Sequence, residues 1–249
     1  MSTEHDIRDL LAAADEAIAE AGFRTGDFGQ ARELLEAARA EAAASADLSV
    51  QARVLELQGM LAHYQNISKL MSGEAVPPDD VAAEERLFRQ AIACWQRAGL
   101  DSGSAQSLFG LGLVFQVLHS DWAAAMPYYW QALGLVSDPS ASASQHLRSE
   151  VHRHIGFYFL VEACQPTEAV RHLQISLDLR EEAADERMIP SGLQALAEAE
   201  IEAGNRELAI DLLSRAVARA REAHLLPARI QAAESALAAA QEAGQQDQG

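Results

Sequence analysis

Apolar residues return at intervals of three and four along almost the whole chain, and that spacing leaves little choice of fold. Ala31, Leu34, Leu35 and Ala38 fall on one face of a helix, and Leu208, Ile210, Leu212, Leu213, Ala216 and Val217 repeat the arrangement near the C-terminus. β-branched and aromatic residues never alternate in a sustained way, so no strand is expected. The residues between the apolar positions are mostly Ala, Glu, Gln and Arg, which are strong helix formers. Short breaks separate the periodic stretches: Gly26-Asp27, Ser72-Gly73, Ser120-Asp121, Gln165-Pro166 and Gly204-Asn205. Helices joined by such short turns pair as antiparallel hairpins. The expectation is an all-α protein with one domain over residues 1–243. Pro127 follows Asp121, a candidate N-cap, by six residues and is expected to disturb its helix.

Charge narrows the partners. The 249 residues carry 19 Lys and Arg against 37 Asp and Glu, a formal charge of −18. So acidic a chain repels phosphate backbones and anionic headgroups, which argues against nucleic acid and against membranes. The apolar run Leu111 to Phe115 is far too short to cross a bilayer. No basic stretch leading into an apolar one opens the sequence, and Cys94 and Cys164 form no CxxC or regular framework. A cytoplasmic setting is expected.

Spacing within the hairpins adds detail. Leu108, Leu111, Gly112, Phe115, Ala124 and Tyr128 are separated by 3, 1, 3, 9 and 4 positions. Small residues at Gly112 and Ala124 would let two helices approach, with Leu108, Phe115 and Tyr128 filling the space around them. Leu193, Leu196, Ala197, Ala209, Leu213 and Ala216 repeat the pattern, with Glu200 where an aromatic is expected. Ile155, Gly156, Phe159, Ala169 and Leu173 fit it with a one-residue insertion, while Ala19 leads to Ala31, Leu35 and Ala38. Leu55 and Gly59 mark a further first helix, separated by a long polar insertion from Phe88 and Ala91.

These residues resemble the tetratricopeptide repeat family across roughly residues 8–223, as about five degenerate repeats. The small residues at 19, 59, 112, 156 and 197 lie 40, 53, 44 and 41 apart, against a common repeat of about 34. Such elongated repeats look like those of bacterial regulators that sense peptides or metabolites. The resemblance implies a right-handed α-α superhelix of about five hairpins, in which the first helices line a concave groove. Pro227 then opens a capping helix over 227–243, residues 244–249 are expected to be a disordered tail, and residues 72–80 an insertion loop.

The resemblance assigns ligand binding to the groove, and helical periodicity picks out the side chains left over after core packing. They include Arg53, Glu56, Met60, His63 and Tyr64 on one first helix, and Gln106, Phe109, Leu113 and Gln116 on the next. Glu150, Arg153, His154 and Phe157 follow on the fourth, with Gln194 and Glu198 on the fifth. Gly110 would deepen the groove locally. Aromatic area beside oriented polar groups suits recognition of a peptide or protein segment, with Tyr64, Phe109 and Phe157 as apolar anchors. Arg53 and Arg153 would then hold an acidic side chain or a carboxyl terminus.

A rival reading centres a small-molecule pocket, either a sensor or an enzyme, on His63, Tyr64, Glu150 and His154. No Gly-rich phosphate loop, nucleophile elbow or HExxH accompanies these residues, so neither a cofactor nor a metal is expected. His152 falls at a packing position and reads as a core histidine. A homodimer through an exposed face is a third option.

Overall fold

The computed structural model describes residues 3–136 and 142–246, and every regular element among them is helical. The helices gather into two compact units, Met1–Leu135 and Val136–Gly249, within the span expected to be one domain.

The first unit holds α1 (Thr3–Glu20), α2 (Gly29–Ala44), α3 (Leu48–Met71), α4 (Pro78–Arg97), α5 (Ala105–Leu113) and α6 (Trp122–Leu135). They pair as the hairpins α1/α2, α3/α4 and α5/α6, and the first helices also touch in sequence, α1 with α3 and α3 with α5. Helix starts follow local chemistry. Asp47 accepts from the Ser49 backbone N–H at 2.8 Å to cap α3, and Asp121 Oδ1 accepts from the Ala124 N–H at 2.9 Å before α6. Pro78 opens α4, where a missing N–H costs nothing, and Asp79 and Asp80 suit the positive helix start. The insertion is therefore shorter than residues 72–80, because its last three residues already belong to α4. Helix α6 continues through Pro127, which is exposed.

The second unit holds α7 (Ser142–Phe157), α8 (Pro166–Glu182), α9 (Ile189–Glu202), α10 (Arg206–Glu222) and α11 (Pro227–Gln246). Here α7/α8 and α9/α10 are the hairpins; α7 packs on α9, and α11 packs on α9 and α10. Helix α11 runs to Gln246 rather than ending at 243, so the expected tail at 244–249 begins with helix; residues 247–249 lie outside the described residues.

Three first helices end in a single wide turn of π-helix: Ala21–Thr25 after α1, Val114–Leu118 after α5 and Tyr158–Glu162 after α7. Each closes with an N–H reaching back five residues, as from Gly26 to Ala21 O at 2.8 Å and from His119 to Val114 O at 3.1 Å. Gly26 then takes a left-handed conformation at φ 73° that suits glycine, while Ser120 and Cys164 adopt it at 54° and 52°.

The extra residue in the wide turn corrects the expected register. In the α5/α6 hairpin the buried pair is Ala125 and Tyr129, each one place beyond the expected Ala124 and Tyr128. A Cβ on Gly112 would stand 2.3 Å from the Tyr129 ring, so absence of a side chain there is what lets the two helices close. The same turn supplies the one-residue insertion between Gly156 and Ala169, where Leu173 covers Gly156. In α1 it shifts burial from Ala19 to Ile18. The α9/α10 hairpin has no wide turn, and its expected set of Leu193, Leu196, Ala197, Ala209, Leu213 and Ala216 is buried without a shift. Leu208, expected on the apolar face of α10, is exposed. Glu200, standing where an aromatic was expected, is buried and accepts a 2.6 Å hydrogen bond from Asn205 Nδ2, which ties the helix end to its turn.

Candidate functional site

Five side chains expected to be left over after core packing are instead buried: Glu56 (1% exposed), Phe109 (3%), Leu113 (4%), His63 (5%) and His154 (7%). Helical period alone sorts residues between two faces, but these first helices are covered on more than one side: α3 by α1, α4 and α5.

In the first unit the consequence is a closed polar network. Arg53 on α3 pairs with Asp15 on α1 at 2.6 Å and with Glu56 one turn on. Glu56 also accepts from Ser107 Oγ on α5 at 2.7 Å, so one chain of charge-assisted bonds joins three first helices. Burial raises the Glu56 carboxyl above its ordinary range, against the pull of Arg53 and the Ser107 hydrogen bond. Further along α3, His63 Nδ1 lies 2.8 Å from Glu84 Oε1, and Asn66 Nδ2 donates to Glu84 Oε2 at 2.8 Å. All three are buried, which fastens α3 to α4.

The aromatic positions of this unit are similarly occupied. Tyr64 covers Gly22 in the wide turn of α1 and meets Phe23 edge-on at 5.8 Å. Phe109 lies 5.8 Å from Tyr129, whose hydroxyl donates to Gln116. Gly110 deepens no groove: the ring of Phe88 fills its place so closely that a Cβ would stand 2.3 Å away. Gln106 and Met60 remain half-exposed, with Gln106 Nε2 3.7 Å from the Met60 sulfur.

The second unit arranges its charges differently. Glu150 on α7 pairs with Arg180 on α8, a fully buried guanidinium that also donates to Met188 O at 2.7 Å and Ser191 Oγ at 2.9 Å. Burial alone would raise the Glu150 carboxyl; Arg180, followed by Arg153, His146 and His154, overcomes it and brings the group down to about 2. A carboxyl so acidic stays ionised near neutrality and holds Arg180 rather than trading protons. Arg153 is half-buried, its guanidinium carbon 4.8 Å from the centroid of the Phe157 ring. One Nη stands 3.5 Å from His154 Nε2, and its Nε–H is buried with no hydrogen-bond partner. Burial lowers the Arg153 pKa, with Glu150 and Glu198 opposing and Arg180 and Arg229 adding to the effect. Glu198 on α9 is exposed in area yet flanked by enough protein that its carboxyl is raised, with Arg153 pulling the other way.

The histidine pair His152 and His172 was not foreseen. Their Nδ1 atoms lie 3.0 Å apart, and His172 stacks on Phe159 at 5.5 Å. Burial, then His172, Arg148 and Arg171, lower His152 to about 4. His63 belongs to the first unit, and Glu150 and His154 to the second, each engaged as above. Among the described residues no three His, Cys, Asp or Glu side chains gather as a metal site needs, and no helix is long and apolar enough to cross a membrane.

The chain is thus an all-α protein of antiparallel helix hairpins. It is similar to BtubC (BKLC) from P. vanneervenii, whose crystal structure matches with a TM-score of 0.57 over 90% of this chain and 92% of that chain, at 16% identity. At that identity the likeness is one of fold. No protein-family model and no curated protein matches the chain.

Proposed function

We propose that this protein is a tetratricopeptide-like binding module that holds a peptide or protein segment against the first helices of its second unit, with Arg153 as the anchor. The observation carrying this reading is the state of Arg153. Its guanidinium is oriented over Phe157, while its buried Nε–H lacks a hydrogen-bond partner. A buried donor left unsatisfied costs free energy, and an incoming carboxylate would recover it through a forked pair of bonds. Phe157 provides apolar area beside it, and Glu198 on α9, near enough to act on the charge of Arg153, offers an acceptor for a donor on the ligand. The spacing of Gly112, Gly156 and Ala197 supports nested repeats, and elongated repeats of this kind support a right-handed superhelix. Both cysteines are free, which fits a reducing cytoplasm.

The test is a displayed library of short peptides with free or amidated C-termini, panned on the full chain. Peptides carrying a carboxylate should be enriched, and Arg153→Ala should weaken the best of them about tenfold with an unchanged melting temperature. Enrichment that ignores Arg153, or a matched loss of stability and binding, overturns the reading. The rival small-molecule site at His63, Tyr64, Glu150 and His154 gains no support: Tyr64 covers Gly22, His63 is bound to Glu84, and Glu150 to Arg180.

A further inference from the structure

A second feature of the second unit lies apart from Arg153 and shares none of its residues. Where the end of α8, the start of α9 and the middle of α10 meet, an open pocket of about 350 Å³ is formed. Two ion pairs cross it: Arg215 to Glu181 at 3.3 Å, and Arg219 to Glu186 at 2.7 Å. Between them the wall is apolar, from Ala184, Ala218 and Ile189. Arg219 lines the pocket and carries an Nε–H that is buried without a hydrogen-bond partner, although its Nη2 is held by Glu186.

We infer that this pocket binds a free α-amino acid with an apolar side chain, taken as the zwitterion. Charge balance selects that class. The four ionised side chains of the wall sum to zero, two guanidinium groups against two carboxylates. A ligand bearing only a carboxylate would draw an arginine from its half-exposed glutamate and leave that negative charge beside its own in a chain of net charge −18. A ligand bearing only an ammonium would strand an arginine. A zwitterion exchanges both partners at once: its carboxylate accepts from the guanidinium of Arg219, and its ammonium donates to Glu181 or Glu186. The side chain then lies against Ala184 and Ala218. The volume is at the small end of ligand pockets, which suits one amino acid better than a larger metabolite.

The experiment is isothermal titration calorimetry of the full chain with L-leucine. Saturable binding is expected, with Kd raised about tenfold or more in Arg219→Gln. Isocaproate, which lacks the ammonium, and isoamylamine, which lacks the carboxylate, should each bind at least about tenfold more weakly. Ala218→Leu fills the pocket with all four charges intact and should abolish binding while circular dichroism and melting temperature are retained. No heat with L-leucine up to about 10 mM, isocaproate equal to L-leucine, or undiminished affinity in Ala218→Leu would each overturn the inference. Arg153→Ala should leave L-leucine binding unchanged, so failure here and failure of the peptide reading are separable.

Discussion

Arg53 and Arg153 both stand on the first helix of a hairpin, one in each unit, yet their surroundings differ in kind. Arg53 is committed to Asp15 and Glu56, and Glu56 in turn to Ser107, so that network is complete without a ligand. Arg153 lies beside the ion pair of Glu150 with Arg180 and, among the described residues, has no carboxylate of its own within ion-pair distance; its Nε–H, like that of Arg180, is buried and unmatched. If Arg153 anchors a ligand as proposed, the lesson is that an arginine on a helix face becomes a recognition element only when its neighbours hold other partners. Polar residues that bridge α1, α3 and α5 hold the first unit together; in the second that task falls to Arg180, which reaches Glu150, Met188 and Ser191.

Substitutions can break this contrast, and the largest effect should come from Glu150→Gln. The group's pKa falls from 4.5 to about 2 on folding, equivalent to about 3 kcal/mol of stability at neutral pH. Because the folded value is the lower one, that contribution is present above pH 4.5 and is lost as pH falls toward 2. Denaturant melts of both proteins should therefore differ by about 3 kcal/mol at pH 7 and converge in acid. Glu56→Ala should cost less, about 2 kcal/mol, because Arg53 keeps Asp15 and is partly exposed. Arg153→Ala should leave stability unchanged by the same measurement, in keeping with its unchanged melting temperature. Were Arg153→Ala as costly as Glu56→Ala, Arg153 would be a structural residue and the contrast would be void.

A third pair sharpens the packing side of the comparison. Gly112→Ala drives a methyl into the rigid ring of Tyr129 at 2.3 Å, whereas Gly156→Ala meets the aliphatic Leu173 side chain, Cγ at 2.6 Å and a terminal methyl at 2.8 Å. Thermal unfolding should show a loss of about 1–3 kcal/mol for the first and a smaller one for the second. The smallest effect is in pH dependence. His152 has a folded pKa of about 4, below its ordinary 6.5, so the unfolded chain binds more protons between those values. Stability of the second unit should fall as pH drops from 6.5 toward 4, and His152→Asn should flatten that slope. An unaltered slope would remove His152 as its source.

Periodicity made the helices legible, because the spacing of Ala31, Leu35 and Ala38 or of Leu193, Leu196 and Ala197 is local to one helix. The register between helices was legible only where no wide turn intervened. Ala209 and Leu213 were found in place, but Ala124 and Tyr128 gave way to Ala125 and Tyr129, since nothing in Val114–Leu118 announces that its hydrogen bonds skip five residues. The one-residue insertion before Ala169 was the available clue, and the same reasoning applied at Gly112 would have found the shift. Among the candidate site residues, helical period placed Arg153 and Phe157 on the same helix face but did not pair them; the contact of the guanidinium with the ring appears only in the structure.

The sequence by itself determined the all-α class, the hairpins and the close approaches at Gly112 and Gly156. These depend on residues a few positions apart and on the volume of a side chain, both of which the order of residues states directly. Only the tertiary structure decided which polar side chains were already satisfied. Glu56 meets Ser107 fifty-one positions away, and Glu150 meets Arg180 thirty positions away. A hydrogen bond or ion pair of that kind depends on where a second helix comes to rest, and helical periodicity carries no information about that.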